Sequence, residues 1–540
     1  MFSIKESSRS CLRKLFCLSG LLLALQLSSC EKDEVLNEPV SEQQTVSGEI
    51  RLGAKVESPF LLRNMQRSVD SLSARTGLKS LTILKPTHLY VRFLPADTAQ
   101  YERLVADTTL DFDPYPLDYQ LTEGDSYHDP SLPADAITWQ YTVVPEDYDL
   151  QGVGITYEVL DELYILDEDL EREDISVGDT QLRSGKGAGL SWKSVVDEAM
   201  IQTGNVGETT LRSKWTPSAT IKAYDDLMGK YIPLQGVKVR IRYFAFLKAY
   251  HYTDANGNVS FSSKRTSVEY SIEWERDMWD IRDGGKQAYY HGPDQKGRWD
   301  LNINSGAPKS LHYSAIHRAL YKYYYGDCCG LVRPSKSLTI AYRDGSDPEK
   351  VALAKTYHKR IDKLISIKPE IEVFGKNKSD RYLTVHEVVA NTIHELAHAS
   401  HCMYVGHSIY VATHIGIYES WATAVEWYLT RNLYEQIGLE NSMLEIIDID
   451  YQEQEWCTTS RTYYTPLFID LYDDVNESEK VSMYPNDEVF GYSFPFLNNN
   501  IGKFTDISKL RSFLKQNKIQ GVSDVNIDNL LNDIERIWNY

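Results

Sequence analysis

The run from Val385 to His401 restricts the chain more than any other segment. It contains neither glycine nor proline, and it repeats histidine at 394 and 398. Such a run predicts an uninterrupted helix. A helix turns about 100° per residue, so residues four apart share a face, offset by only about 40°. His394 and His398 then present two imidazoles that can reach one Zn²⁺. Glu395 stands beside them to handle a proton.

A catalytic zinc takes three protein ligands and keeps one position open. His401 follows His398 by three residues, and no Gly-x-x-His follows, so the metzincin pattern is excluded. His407 and His414 sit in no recognisable frame. Glu419 opens Glu419-Ser-Trp-Ala-Thr-Ala-Val-Glu426-Trp, an apolar helical segment. A second helix there can carry a carboxylate across to the histidines. Glu426, on the same segment, is the alternative ligand or a partner to one.

This frame resembles the Glu-x-x-Ala-x-x-x-Glu that follows HExxH in gluzincin metallopeptidases, among them thermolysin-like enzymes and zinc aminopeptidases. The resemblance implies His394, His398 and Glu419 as metal ligands and Glu395 as the catalytic base. It also implies a zincin-like fold with its cleft between a small sheet and helices. No Gly-x-Met-Glu-Asn segment of the aminopeptidases is present. A second donor for an oxyanion is expected from Tyr418, Tyr463, Tyr464 or Tyr492. His386 and His401 share the histidine helix and are candidates to touch a ligand or a substrate.

The N-terminus predicts export. Lys5, Arg9, Arg13 and Lys14 precede a mostly apolar stretch from Leu15 to Leu27, too short to span a bilayer. Leu27-Ser28-Ser29-Cys30 resembles a bacterial lipoprotein box, which implies cleavage before Cys30 and lipidation of that cysteine. Glu31-Lys32-Asp33-Glu34 resembles the acidic surface-export tag of lipoproteins from the Bacteroides group, which implies an outer-membrane anchor. Of the later cysteines, Cys328, Cys329, Cys402 and Cys457 are either cross-paired or free thiols.

The expected fold class is multi-domain α+β, with N-terminal β-rich modules followed by a mainly helical zincin-like domain. The expected divisions are a signal over 1–29, a tether over 30–48, a β-rich domain over 49–175, a linker over 176–215, a sandwich over 216–273 and a catalytic domain over 274–540. In the first module, Leu84 to Phe93 and Ile137 to Val144 predict strands. Asp97-Thr98-Ala99 resembles an O-glycosylation site but reads first as a turn. In the sandwich, Val237, Val239 and Ile241 share a strand face with Lys or Arg between them, and Asn256-Gly257 predicts a hairpin turn. These two runs resemble the carboxypeptidase regulatory-like β-sandwich. Helical spacing follows at Ser314–Tyr325, Pro348–Tyr357, Arg381–Met403 and Tyr418–Ile437.

With 57 Lys and Arg against 77 Asp and Glu, the net charge of −20 argues against nucleic acid as a partner and against docking on an anionic membrane surface. Export signal, β-modules and His-Glu-x-x-His helix together resemble the zinc-dependent metalloproteinase lipoproteins of the Bacteroides group. That resemblance implies a membrane-anchored zinc endopeptidase acting on protein or peptide. The rival expectations are an aminopeptidase of the same metal class, and a catalytically silent adhesin or glycan-binding lipoprotein.

Overall fold

The computed structural model describes residues 48–77, 83–107, 109–165, 191–207, 209–345, 370–444, 463–476 and 487–539. The export signal, Cys30, almost all of the tether, the glycine-rich part of the linker, the helix expected at Pro348–Tyr357 and Cys457 lie outside these residues. The described residues fall in one unit running from Val46 to Tyr540.

The first part holds β1 (Leu52–Lys55), α1 (Leu62–Thr76), β2 (His88–Leu94), α2 (Thr98–Val105), β3 (Tyr119–Leu121), β4 (Gln140–Pro145), β5 (Thr156–Leu163) and α3 (Trp192–Gln202). Both strands expected from sequence are present, as β2 and β4. β2 is the central strand of an antiparallel sheet β4–β2–β5. Its Tyr90, Val91 and Phe93 are buried. Asp97 caps α2 by accepting from the Gln100 N–H at 2.8 Å, so Asp97-Thr98-Ala99 starts a helix. The second half of the expected linker is no plain connector. α3 buries Trp192, Val195, Val196, Ala199 and Met200, and packs on α1. The spacing of those five residues is one helical face.

Eleven strands follow: β6 (Ser218–Asp225), β7 (Lys230–Pro233), β8 (Lys238–Tyr243), β9 (Leu247–Tyr252), β10 (Asn258–Ser260), β11 (Val268–Glu273), β12 (Glu275–Arg276), β13 (Trp279–Asp283), β14 (Lys286–Gln287), β15 (Tyr289–Gln295) and β16 (Trp299–Ile303). They form one sheet β10–β6–β16, with β7 also on β6, and another β15–β11–β8–β9. Tyr270 and Tyr290 of the second sheet pack on Trp299 of the first, ring centroids 5.6 and 6.1 Å apart. The chain thus returns to the sandwich beyond residue 273. Between β11 and β15 it leaves briefly to build β12–β14, which belong to a third sheet.

The Asn256-Gly257 turn closes, with Asp254 N–H donating to Asn258 O at 2.8 Å and Gly257 at φ +75°. A Cβ at Gly257 would lie 2.4 Å from the Ile221 carbonyl. The strands it joins nevertheless part company: β9 pairs with β8, and β10 with β6.

The charged residues of β8 do not face water. Arg240 and Arg242 are 4% and 2% exposed. They lie under the first part of the chain, where Asp113 accepts from Arg240 at 2.5 Å and Asp111 from Lys248 at 2.7 Å. Within the sheet, Arg240 also meets Glu273 at 2.8 Å, and Arg242 pairs with Glu269. Burying these cations is tolerable only because each has a carboxylate. The ion pairs join the first part to the sandwich.

The third part holds α4 (Pro308–Tyr324), β17 (Leu338–Arg343), β18 (Ile371–Phe374), α5 (Val385–Val405), α6 (His407–Ala412), α7 (Ile415–Gln436), α8 (Leu467–Asp470), α9 (Phe494–Asn500), α10 (Ile507–Gln516) and α11 (Asp524–Asn539). β13, β17 and β18 run parallel. α5 is sandwiched between α4 and α7. The architecture is therefore mixed α+β, β-rich towards the N-terminus and helical towards the C-terminus. Among the described residues, no helix is long and apolar enough to cross a membrane.

Asp225, at the end of β6, ties these parts together. It is fully buried and accepts from Arg318 of α4 at 2.6 Å and from the Tyr434 hydroxyl of α7 at 2.8 Å. Its neighbour Asp226 accepts from the N–H of Val385, the first residue of α5, at 3.1 Å. The sandwich thereby helps to set where the histidine helix begins.

Candidate metal centre

α5 starts at a capping box. The Glu387 N–H donates to Thr384 Oγ1 at 3.2 Å, and Thr384 N–H donates back to Glu387 Oε2 at 2.7 Å. Val388, Val389, Ile393, Leu396 and Ala397 are buried around the helix. With apolar neighbours on both sides, the polar face at His394 and His398 is held facing α7. α7 starts where the His414 ring accepts from the Gly416 N–H at 3.1 Å. Gly416 is required there, because a Cβ would come within 2.3 Å of the Trp538 ring.

The two helices bring His394, His398 and Glu419 together, all buried, with one ligand atom of each within 4.8 Å of the others. The Nε2 atoms of the two histidines are 3.1 Å apart. Glu419 Oε2 lies 3.3 Å from each of them. Ligand atoms held at about 2.0–2.1 Å by a tetrahedral cation are about 3.3–3.4 Å apart. The triangle fits one face of such a tetrahedron.

The outer ring nitrogens support the same arrangement. His394 Nδ1 is 2.9 Å from Glu426 Oε2, and His398 Nδ1 is 3.1 Å from the Tyr410 hydroxyl. A carboxylate beside Nδ1 keeps the proton on that nitrogen, so Nε2 of a neutral His394 offers its lone pair inward. That lone pair, the His398 Nε2 and a carboxylate oxygen at these distances are held together by a positive charge among them, a proton or a cation.

The electrostatics agree. Burial opposes charge on His394, yet Glu419 and Glu426 outweigh it and carry the imidazole up to about 10. Burial likewise opposes ionisation of Glu419, but His398 and His394 hold it well below the usual carboxylate range. Glu395 is 3% exposed. Burial, then the negative Glu419 and Glu426, push it up to about 8 against the pull of His394. A nearby dication would draw such a carboxyl back down towards its ionised form.

The remaining candidates separate clearly. Glu426 supports His394 and takes no place in the triangle. The Tyr464 ring lies 5.9 Å from His394, and the Tyr418 ring 5.7 Å from His398. Tyr464 is 37% exposed, and burial together with Glu419 and Glu395 raises its hydroxyl pKa. Tyr463 instead packs on His414, and Tyr492 is buried with its hydroxyl towards Leu514 O. His414 caps α7 and stacks on Trp538. His386 sits against Tyr434. His401 is buried against Tyr410, with neither ring nitrogen hydrogen-bonded, and burial pushes it down to about 3. His407, on α6, is not among the clustered ligands. Cys328, Cys329 and Cys402 are free thiols.

Tyr410 was not singled out from sequence. No motif surrounds it, and only the short helix α6 swings it under His398. No family model matches the chain, and no curated protein or solved structure matches it at a significant level.

Proposed function

We propose that the chain is a zinc-dependent peptidase, with His394, His398 and Glu419 as metal ligands and Glu395 as general base. The observation that carries this reading is the 3.1–3.3 Å triangle of two imidazole nitrogens and one carboxylate oxygen, next to a buried glutamate on the same helix. A nitrogen-rich set with one carboxylate suits Zn²⁺ among the common divalent ions.

When bound, zinc would lower the pKa of a water and polarise a substrate carbonyl. Glu395 then takes the proton of the attacking water and returns it to the leaving amine. Glu426 and Tyr410 hold the two imidazoles in orientation through their Nδ1 atoms. Tyr464, partly exposed with its ring 5.9 Å from that of His394, is the tyrosine we propose to donate to the developing oxyanion. The β13–β17–β18 sheet backed by α4 and α5, with α7 crossing α5, supports a zincin-like reading of this part. The substrate class proposed is protein or peptide, cleaved internally. Export and anchoring to the outer membrane through lipidated Cys30 complete the proposal.

The test is metal analysis of the purified protein together with a Glu395→Gln variant. About one zinc per chain is expected. The variant should retain the metal and lose hydrolysis of a blocked peptide by about 10²–10⁴-fold. Parental hydrolysis by Glu395→Gln would remove Glu395 from the role of base. Cleavage only of peptides with free amino termini would overturn the internal-cleavage reading.

A further inference from the structure

A second feature lies on the first part of the fold. β5 is an outer strand of the sheet β4–β2–β5. Phe60 and Leu61 begin to pair with its outer edge: Leu61 bridges Leu163, and the Tyr164 N–H donates to Phe60 O at 2.9 Å. The chain then turns into α1 and leaves that edge. From Thr156 to Glu162, among the described residues, β5 is paired through its backbone to β2 alone. The Glu162 N–H there bonds to the neighbouring Asp161 side chain, at 3.2 Å. An open row of N–H and C=O groups is a template for one more strand.

Alongside this edge runs a groove of about 910 Å³, between α1, the Ile83–Leu84 segment and β5. Three apolar side chains line it in the open: Ile83 is 85% exposed, Val159 47% and Leu160 38%. None of the three belongs to an apolar cluster of the core. Asp161 faces Tyr90 and Val159 faces Val91, so Leu160 is the extra residue of a bulge and has no partner on β2. The lining holds one cation, Arg63, against three carboxylates, Asp70, Asp161 and Glu162. Arg63 is committed to Asp161 at 2.7 Å. Asp70 and Glu162 are left as an excess of negative charge.

We propose that β5 takes up an extended polypeptide as an additional strand, one that carries lysine or arginine beside apolar side chains. The backbone edge supplies the hydrogen bonds, Ile83, Val159 and Leu160 cover apolar side chains, and Asp70 and Glu162 attract the cations. A second copy of this chain is disfavoured as the occupant. Its own β5 would set Asp161 and Glu162 against the same two residues, and like charges opposed across strands repel. None of the groove residues lies on α5 or α7, so the surface goes beyond the peptidase reading and stands without it.

The test is fluorescence anisotropy of a labelled, end-blocked Lys-Val-Leu-Lys-Val-Lys peptide titrated with the whole protein, a chelator keeping the metal centre from cutting it. A saturable rise at micromolar protein is expected. Of two versions N-methylated on alternate amides, one for each edge of the peptide, one should lose binding. Glutamate in place of each lysine should abolish it. Leu160→Ser and Glu162→Lys should each weaken binding about tenfold, with melting temperature unchanged. No saturable binding overturns the proposal. So does undiminished binding of both methylated peptides or of the glutamate peptide, or parental affinity in both variants. Amide hydrogen exchange gives the second readout. Outward amides between Thr156 and Glu162 should exchange fast in the free protein and slow down when the peptide is added. Protection before any peptide is added would mean that the edge is already covered, and overturns the proposal.

Discussion

Glu426 Oε2 lies 2.9 Å from His394 Nδ1, the ring nitrogen turned away from Glu419. A buried carboxylate at that position fixes the tautomer of the imidazole and raises its basicity towards a metal. Glu426→Gln keeps the shape and removes the charge. It should weaken zinc binding about 10–100-fold in a chelator competition. An unchanged affinity would mean that Glu426 only fills space.

Glu419→Ala should act more severely, because it deletes a corner of the triangle rather than a support. Zinc retention through dialysis should be lost while the chain stays folded by circular dichroism. Retention equal to the parent would move the ligand assignment elsewhere.

Tyr464→Phe removes a hydroxyl beside His394 without disturbing the helices. A lost oxyanion donor costs about 10²–10³ in kcat, so kcat should fall with KM nearly unchanged. A change confined to KM would assign Tyr464 to substrate binding instead.

Asp113 accepts from Arg240 and Lys248 at 2.5 and 3.0 Å across the junction of the first part and the sandwich, with only 4% of its side chain exposed. Asp113→Ala would leave buried cations short of a partner. A stability loss of about 3–5 kcal/mol is expected by denaturant unfolding. A loss below about 1 kcal/mol would show that Asp111, Glu269 and Glu273 compensate.

His317 is buried and donates from Nε2 to Gln235 O at 2.8 Å. Burial pushes it down to about 4 from an ordinary 6.5, with Arg276 and Arg318 adding to the effect against the Gln235 contact. Above pH 6.5 both folded and unfolded chains hold it neutral. Between 6.5 and about 4 the unfolded chain binds a proton that the folded chain refuses, so stability drains away as pH falls through that window. The loss is on the order of 3 kcal/mol. Melting temperature should therefore fall more steeply over this range in the parent than in His317→Gln. Parallel slopes would sink the assignment.

The elements legible in the chain were those set by local spacing. A run without glycine or proline made α5. Alternation made β8, and Asn256-Gly257 made its turn. The partners of these elements were not legible. Nothing near the lysine and arginine positions on β8 names their partners: Arg240 and Arg242 are buried because Asp113 arrives from more than a hundred residues earlier. The Asn256-Gly257 turn directs its two strands into different sheets, since backbone hydrogen bonds to β8 and β6 outweigh the local hairpin.

By itself the sequence determined that His394, Glu395 and His398 share one stretch of helix, because a period of 3.6 residues is a property of the backbone alone. Only the tertiary structure decided which carboxylate closes the triangle and which groups stand behind the histidines. Glu419 and Glu426 are on one helix two turns apart, and both looked eligible. The crossing of α5 and α7 sends the first to the Nε2 atoms and the second to Nδ1 of His394, while Tyr410 comes under His398 from a helix of its own. Packing of apolar surfaces sets those distances, and no local pattern of residues encodes them.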